Sequence, residues 1–330
     1  MNPEINRQIK GDDPAIVVIG GGTGLPTLLR GLKYHTGRIT AIVTVADDGG
    51  SSGRLRRELD ILPPGDIRNC LVALAEDESL LGRLFQYRFA GGDLSGHSFG
   101  NLFLAALTKV TGDFEEAVRL SSSILATRGR VLPATPEDVI LHAELADGRR
   151  VDGQSAIANS QQACHRIWLE PKEARATRSA LEAIAAADAI ILGPGSLFTS
   201  IIPNLLVKEI TTAVERAGCP KIFVCNVMTQ PGETLEFTAA DHLAALTGHS
   251  RDHIVDIILV NSVPPPSDVV DMYLATGAGP VLVDESRLRK MDVLVAGADI
   301  GSAGNYFRHE SRKLAGAIMA MLSEAKLPEA

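Results

Sequence analysis

Five short polar loops carry most of the residues whose types and spacing could do chemistry. The first, Gly20-Gly21-Gly22-Thr23-Gly24-Leu25, follows the apolar run of residues 16–19. Its missing side chains leave backbone N–H groups open to a phosphate at the start of a helix, although a plain tight turn reads the same way. Two named nucleotide loops are excluded letter by letter. The dinucleotide fingerprint would need glycine where Leu25 stands, and a P-loop would need a Lys-Ser or Lys-Thr pair that never follows.

The second loop, Asp47-Asp48-Gly49-Gly50-Ser51-Ser52-Gly53-Arg54, joins two carboxylates to a flexible turn, two hydroxyls and a guanidinium. Asp47 or Asp48 would accept from a ribose hydroxyl or hold a magnesium ion through water, while the amides of Gly49, Gly50, Ser51 and Ser52 meet an anion. The plain alternative is a solvated loop with a serine helix cap. The third, Pro63-Pro64-Gly65-Asp66-Ile67-Arg68-Asn69, is a rigid turn in which Arg68 and Asn69 are ligand candidates and Asp66 reads equally as a cap. In the fourth, Gly96-His97-Ser98-Phe99-Gly100 spells the G-x-S-x-G of serine hydrolases. That elbow needs a buried strand immediately before the serine, and residues 91–95 are almost devoid of apolar side chains. Residues 95–101 therefore read as a cap for a helix at 102–107, with His97 and Asn101 available to a ligand.

The fifth loop, Gly193-Pro194-Gly195-Ser196, follows the apolar run of residues 189–192 and leads to Thr199 and Asn204. Asn226, Met228, Thr229 and Glu233 follow the next apolar run.

Positioning these loops requires strands that end together. Residues 16–19 precede Leu25, Leu28, Leu29 and Leu32 at helical spacing, and the alternation recurs through residues 39–45, 181–192 and 205–227. Further strands are predicted at 257–260 and 293–296, and a last amphipathic helix runs through Leu314, Ile318 and Leu322. Apolar strands alternating with helices predict an α/β fold: a Rossmann-like, doubly wound, mostly parallel sheet. Shorter alternating segments at 131–170, with a hairpin turn at Asp147-Gly148, predict a β-rich insertion. One domain over residues 15–330, behind a flexible segment of residues 1–14, is the expected organisation. Ligands of such sheets bind beyond the carboxyl ends of the strands, so several glycine loops there point to one nucleotide diphosphate.

Thirty-two Lys and Arg against 40 Asp and Glu give a net charge of −8, which excludes the basic footprint of a nucleic-acid binder. Cys70, Cys164, Cys219 and Cys225 form no C-x-x-C pair and read as reduced thiols. No run approaches the roughly 18 apolar residues of a membrane span, and the expected location is cytoplasmic.

Taken together, residues 20–25, 46–54, 63–69, 95–101, 193–200 and 226–233 resemble the gluconeogenesis-factor, or YvcK, group within the superfamily of the 2-phospho-L-lactate transferase CofD. The resemblance runs from Val17 to about Arg308. It implies a Rossmann-like protein that binds a UDP-sugar, such as UDP-glucose or UDP-N-acetylglucosamine, and supports cell shape and peptidoglycan synthesis during gluconeogenic growth. The family's binding positions fall on Thr23, Asn204, Tyr273 and Arg308. Tyr273 would stack on uracil or bond a ribose, and Arg308 would pair bidentately with a diphosphate. Residues 298–305 match no family pattern.

Two functions fit this resemblance. A regulatory UDP-sugar binder would act through a protein partner and need no cofactor beyond Mg2+ accompanying the nucleotide. A CofD-like transferase would use a metal on Asp47 or Asp48 to polarise a diphosphate. A single Trp, Trp168, and four Tyr leave little for an aromatic acceptor slot, which favours the binder. A homodimer is left open.

Overall fold

The computed structural model describes residues 13–76, 80–160, 162–304 and 306–324; residues 1–12, most of the segment expected to be flexible, lie outside them. The strands in chain order are β1 (Ile16–Gly20), β2 (Ile39–Val43), β3 (Arg130–Pro133), β4 (Ile140–Leu145), β5 (Arg150–Asp152), β6 (Cys164–Glu170), β7 (Ala189–Leu192), β8 (Lys221–Val224), β9 (Ile257–Asn261) and β10 (Leu294–Ala298). Seven of them form one sheet in the order β3-β2-β1-β7-β8-β9-β10, and every pairing in it is parallel. The central strands β1, β2 and β7 are buried at every position, which is why they read as unbroken apolar runs rather than alternating ones.

Helix α1 (Gly24–Leu32) follows β1 and buries Leu25, Leu28, Leu29 and Leu32. Their burial contributes on the order of 8 kcal/mol of transfer free energy. That outweighs the roughly 1 kcal/mol that an interior glycine such as Gly31 costs a helix. Gly31 is kept because the Ser311 carbonyl, at the start of the last helix Ser311–Glu324, occupies the space of a side chain. Helices α2 (Gly50–Leu59), α3 (Gly65–Leu74), α4 (Leu80–Gln86), α5 (Phe99–Thr111) and α6 (Phe114–Ile124) fill the connection from β2 to β3.

The chain steps outward from β1 to β3 and then returns to place β7 on the other side of β1. Strand order therefore reverses between β1 and β7, and their loops diverge to leave a crevice there. Parallel pairing sends the loops after β1, β2, β7 and β8 to the same edge of the sheet.

The insertion is smaller than the sequence predicts. Residues 130–133 are not part of it: β3 pairs with β2 in the main sheet, Thr40 opposite Arg130. A four-residue edge strand is too short to show which sheet it joins. The insertion proper is the antiparallel trio β5-β4-β6, with Gly148 at φ +81 in the predicted turn. Residues 298–305, which match no pattern, run into a small hairpin of β11 (Gly301–Ser302) and β12 (Arg308–His309).

Candidate functional site at the carboxyl edge of the sheet

At the crevice the loops after β1 and β7 touch backbone to backbone. A Cβ on Gly24 would lie 2.6 Å from the Pro194 carbonyl oxygen, and one on Gly195 would lie 3.3 Å from that of Gly21. Gly22, at φ +62, turns its N–H towards α3, where it donates to Asp66 Oδ2 at 2.6 Å. Gly193, at φ +84, brings Pro194 back over the crevice. Beneath both loops lies a π-helical turn, Leu197–Ile201, whose Thr199 hydroxyl donates to Glu233 Oε1 at 2.6 Å. The Phe198 N–H reaches the other oxygen, Oε2, at 3.0 Å, and burial pushes the Glu233 carboxyl above its ordinary pKa.

Above this floor is a cavity of about 390 Å³. Thr23, Gly24, Pro194, Gly195 and Ser196 line one side; Asn226 and Thr229 from the loop after β8 line another, and Tyr273 and Arg308 close it. Tyr273, on the helix Ser267–Leu274, donates its hydroxyl to the Phe307 carbonyl at 3.2 Å. The Arg308 guanidinium sits 4.9 Å from the Tyr306 ring centre. Tyr273 thus anchors the hairpin that presents Arg308, the one Lys or Arg among the described lining residues. Asn204 is placed differently from expectation. It is fully buried and its amide donates to the carbonyls of Gly20 at 3.1 Å and Ser200 at 2.8 Å, so it supports the loop from behind instead of facing a ligand.

The remaining predicted residues form a second group, one strand further from the crevice, and none of them lines the cavity. Asp47 Oδ1 accepts the Gly49 N–H at 3.0 Å, and Asp48 Oδ1 accepts the Ser155 N–H at 2.8 Å. Asp48 is thereby turned to the insertion, while Asp47 lies beside Gly65 at the start of α3. Gly65 donates its N–H to Ser52 Oγ at 3.1 Å, and Gly50, at φ +48, opens α2. Ser51 Oγ meets His97 Nδ1 at 2.9 Å and Asn101 Nδ2 at 3.1 Å; Arg54 reaches the Ser95 carbonyl and Arg68 the Asn69 side chain. Ser98 is fully buried and caps α5 by accepting the Asn101 N–H at 3.2 Å, so it is not a nucleophile on an elbow.

Asp66 stands between the groups. Burial, together with the charge of Asp47, pushes its carboxyl up to about 6, and burial likewise raises Asp47.

A profile of the 2-phospho-L-lactate transferase CofD family matches residues 16–300. A protein of Bacillus subtilis named "Gluconeogenesis factor" is 51% identical over 316 residues, covering 95% of this chain and 100% of that one. Another of that name, from Halalkalibacterium halodurans, is 50% identical over 313 residues, covering 92% and 95%. The chain belongs to the CofD family. The crystal structure of a UPF0052-family protein from Bacillus halodurans has the same fold, with a TM-score of 0.90 at 49% identity over 94% of this chain and 99% of the other.

Within this CofD-family fold, sequence reasoning missed several cavity residues. Thr27 lies one turn into α1, Ala158 comes from the insertion, and Gln230, Tyr306, Phe307 and His309 close the rim. Gln230 had a signal, standing between Asn226 and Glu233, and Thr27 lies only three residues beyond Gly24 of the first loop; the others come from segments whose fold brings them back from afar. His309 is half-buried and donates from Nε2 to the Cys225 carbonyl at 3.1 Å, and desolvation of its ring pushes its pKa down to about 4. The thiols are unsuited to nucleophilic work: burial pushes Cys164 and Cys225 up to about 12 and Cys219 up to about 11.

Among the described residues, no three His, Cys, Asp or Glu side chains are grouped to hold a metal by themselves. Of the two carboxylates expected to hold a metal, Asp48 is committed to the Ser155 N–H; Asp47, with Asp66 beside the β1 loop, would be the pair to hold magnesium, which takes one or two protein carboxylates and completes its shell with water and diphosphate oxygens.

Proposed function

We propose that the protein is a regulatory nucleotide-sugar binder that takes a UDP-sugar in the crevice between β1 and β7 and signals the occupied state to a protein partner in the cytoplasm. The observation that carries this reading is the composition of the cavity. One end offers the amino terminus of α1 with its glycine amides, the opposite wall offers Arg308 on an aromatic-backed hairpin, and no activated nucleophile faces the space between. Amides and a helix amino terminus hold a diphosphate without proton chemistry. Tyr273 and Tyr306 supply the apolar surface on which a uracil ring would rest, with Asn226, Thr229 and Gln230 as hydrogen-bond partners for ribose or sugar. Support for cell shape and peptidoglycan synthesis during gluconeogenic growth would follow from sensing this class of metabolite.

The second reading is a CofD-like transferase acting on a nucleotide-diphosphate-linked donor. The specific observation in its favour is the Asp47 and Asp66 pair beside the β1 loop, where magnesium would meet a diphosphate and neutralise the charge left on the departing group. In either case the chain's own groups bind and orient the diphosphate.

Thermal unfolding with UDP-glucose, UDP-N-acetylglucosamine, GDP, NAD and ATP, with and without magnesium, tests both. A ligand at 100 times its dissociation constant adds about 2.7 kcal/mol to the folded state. A UDP-sugar response that Tyr273→Ala and Arg308→Ala diminish is the expected result. A response confined to NAD would overturn the assignment, and UDP-sugar consumption dependent on Asp47 would replace the binder with the transferase.

A further inference from the structure

Eight of the described arginines in this acidic chain are matched, Arg38 with Asp188 among them. Arg56, Arg119, Arg149, Arg178, Arg251, Arg287 and Arg289 each lie within ion-pair distance of a carboxylate. Arg54, Arg68 and Arg88 do not: among the described residues none of the three has such a partner, yet they occupy one neighbourhood. Arg54 donates to the Ser95 carbonyl at 2.6 Å and Arg88 to the next carbonyl, Gly96, so two guanidiniums grip a single turn. The Arg68 stem passes under Gly100, where a Cβ would come within 2.8 Å of its Cδ. Arg68 is only 8% exposed, and its Nε–H has no acceptor. Arg68, the buried member of the three, is costly as an unpaired charge unless an anion completes it, while Arg54 is half-buried and Arg88 exposed.

The neutral groups point the same way. Ser51 Oγ accepts from the Asn101 amide and meets His97 Nδ1; in the tautomer whose Nδ1 accepts the Ser51 proton, the His97 Nε2–H is a further donor. Asn101, 2% exposed, keeps an unpartnered Oδ1 that suits the hydroxyl of a partly protonated phosphate. The amino termini of α2 and α5 meet at this point through Ser51 and Asn101 and add their positive ends.

We propose that Arg54, Arg68, Arg88, Ser51, His97 and Asn101 form a second anion site that takes the phosphate group of a phosphomonoester, distinct from the nucleotide cavity. None of the six lines that cavity. The assignment goes beyond the UDP-sugar reading and holds or fails independently of it. Burial, Arg54 and Arg88 depress the pKa of His97 against the opposing charge of Glu58.

The test is thermal unfolding of the full chain in inorganic phosphate or phenyl phosphate against chloride at equal ionic strength, with UDP-glucose as a separate arm. Phosphate is expected to raise the melting temperature where chloride does not. Arg88→Ala, at an exposed position, should raise the phosphate-free melting temperature by relieving repulsion and should weaken phosphate binding at least tenfold, with any UDP-glucose shift unchanged. Arg68→Met should abolish the phosphate response. Equal shifts in chloride would overturn the site, as would an Arg88→Ala protein that melts lower with its phosphate response intact. A missing UDP-glucose shift beside a normal phosphate shift would instead refute the nucleotide reading alone.

Discussion

Asp66→Asn isolates the electrostatic cost of the candidate site. In the fold the Asp66 carboxyl is held at about 6, against 3.8 for the ordinary group. A raised carboxyl pKa favours the protonated form in the native state. Its stabilising contribution is therefore complete below pH 3.8 and lost as pH climbs through 6. The ionised group then costs the fold about 3 kcal/mol at pH 8 and roughly half of that at pH 5. Asparagine cannot ionise, and its Oδ1 can still accept the Gly22 N–H that Asp66 now accepts at 2.6 Å. Asp66→Asn should thus be more stable than the parent by about 3 kcal/mol at pH 8, with the gap shrinking to about half of that at pH 5. Urea unfolding of both proteins at half-unit steps from pH 4 to 8 measures this directly. Glu233, also raised by burial, is common to both proteins and cancels in the difference. A gap that is constant over the range, or a variant weaker than the parent at pH 8, would refute the reasoning.

Three further perturbations probe the scaffold. Gly24→Ala forces a methyl against the Pro194 carbonyl, 2.6 Å from an ideal Cβ, and should destabilise by about 1–3 kcal/mol while weakening UDP-sugar binding, both read by thermal shift. Tyr273→Phe keeps the ring but loses the bond to Phe307, so stability should fall by about 1 kcal/mol and UDP-sugar affinity by less than tenfold, measured calorimetrically. Asp48→Ala frees the Ser155 N–H at the start of the short helix Gln154–Ala158; hydrogen exchange should accelerate there at a cost of about 1 kcal/mol, with β1 and α1 unaffected.

The sheet was legible because its central strands are buried on both faces, and burial writes itself as uninterrupted runs such as residues 16–19 and 189–192. The glycine loops were legible for a related reason: Gly22 and Gly193 sit at positive φ, and Gly24 and Gly195 face another backbone, so the fold demands glycine whatever the ligand. Their destinations were less visible. Asn204 and Arg54 are both polar loop-side residues in sequence, yet one is sealed under a turn and the other clamps a neighbouring loop, a distinction made by tertiary packing. β3 was assigned to the insertion because four residues cannot reveal their partner strand. Tyr306, Phe307 and His309 belong to a hairpin with no local signature, held at the crevice by Tyr273 more than thirty positions away.

The single diphosphate pocket suggested by so many convergent loops divides in two because parallel strands bring their loops to one edge but not to one point. Successive strands are roughly 5 Å apart, so the loop after β2 stands a strand's width beyond the loop after β1. α3 begins between them, with Asp66 in its first turn and Asp47 beside Gly65. An anion close to these carboxylates is repelled unless a cation intervenes. The β1 cavity has only Arg308 and backbone dipoles for that purpose, whereas the outer group has three guanidiniums to spare. On the proposed reading the acidic pair would favour a diphosphate that arrives with magnesium in the crevice and would leave the outer site to an anion held by arginine alone. In a chain of net charge −8, discrimination of this kind must come from local donors, since the global field repels both ligands alike.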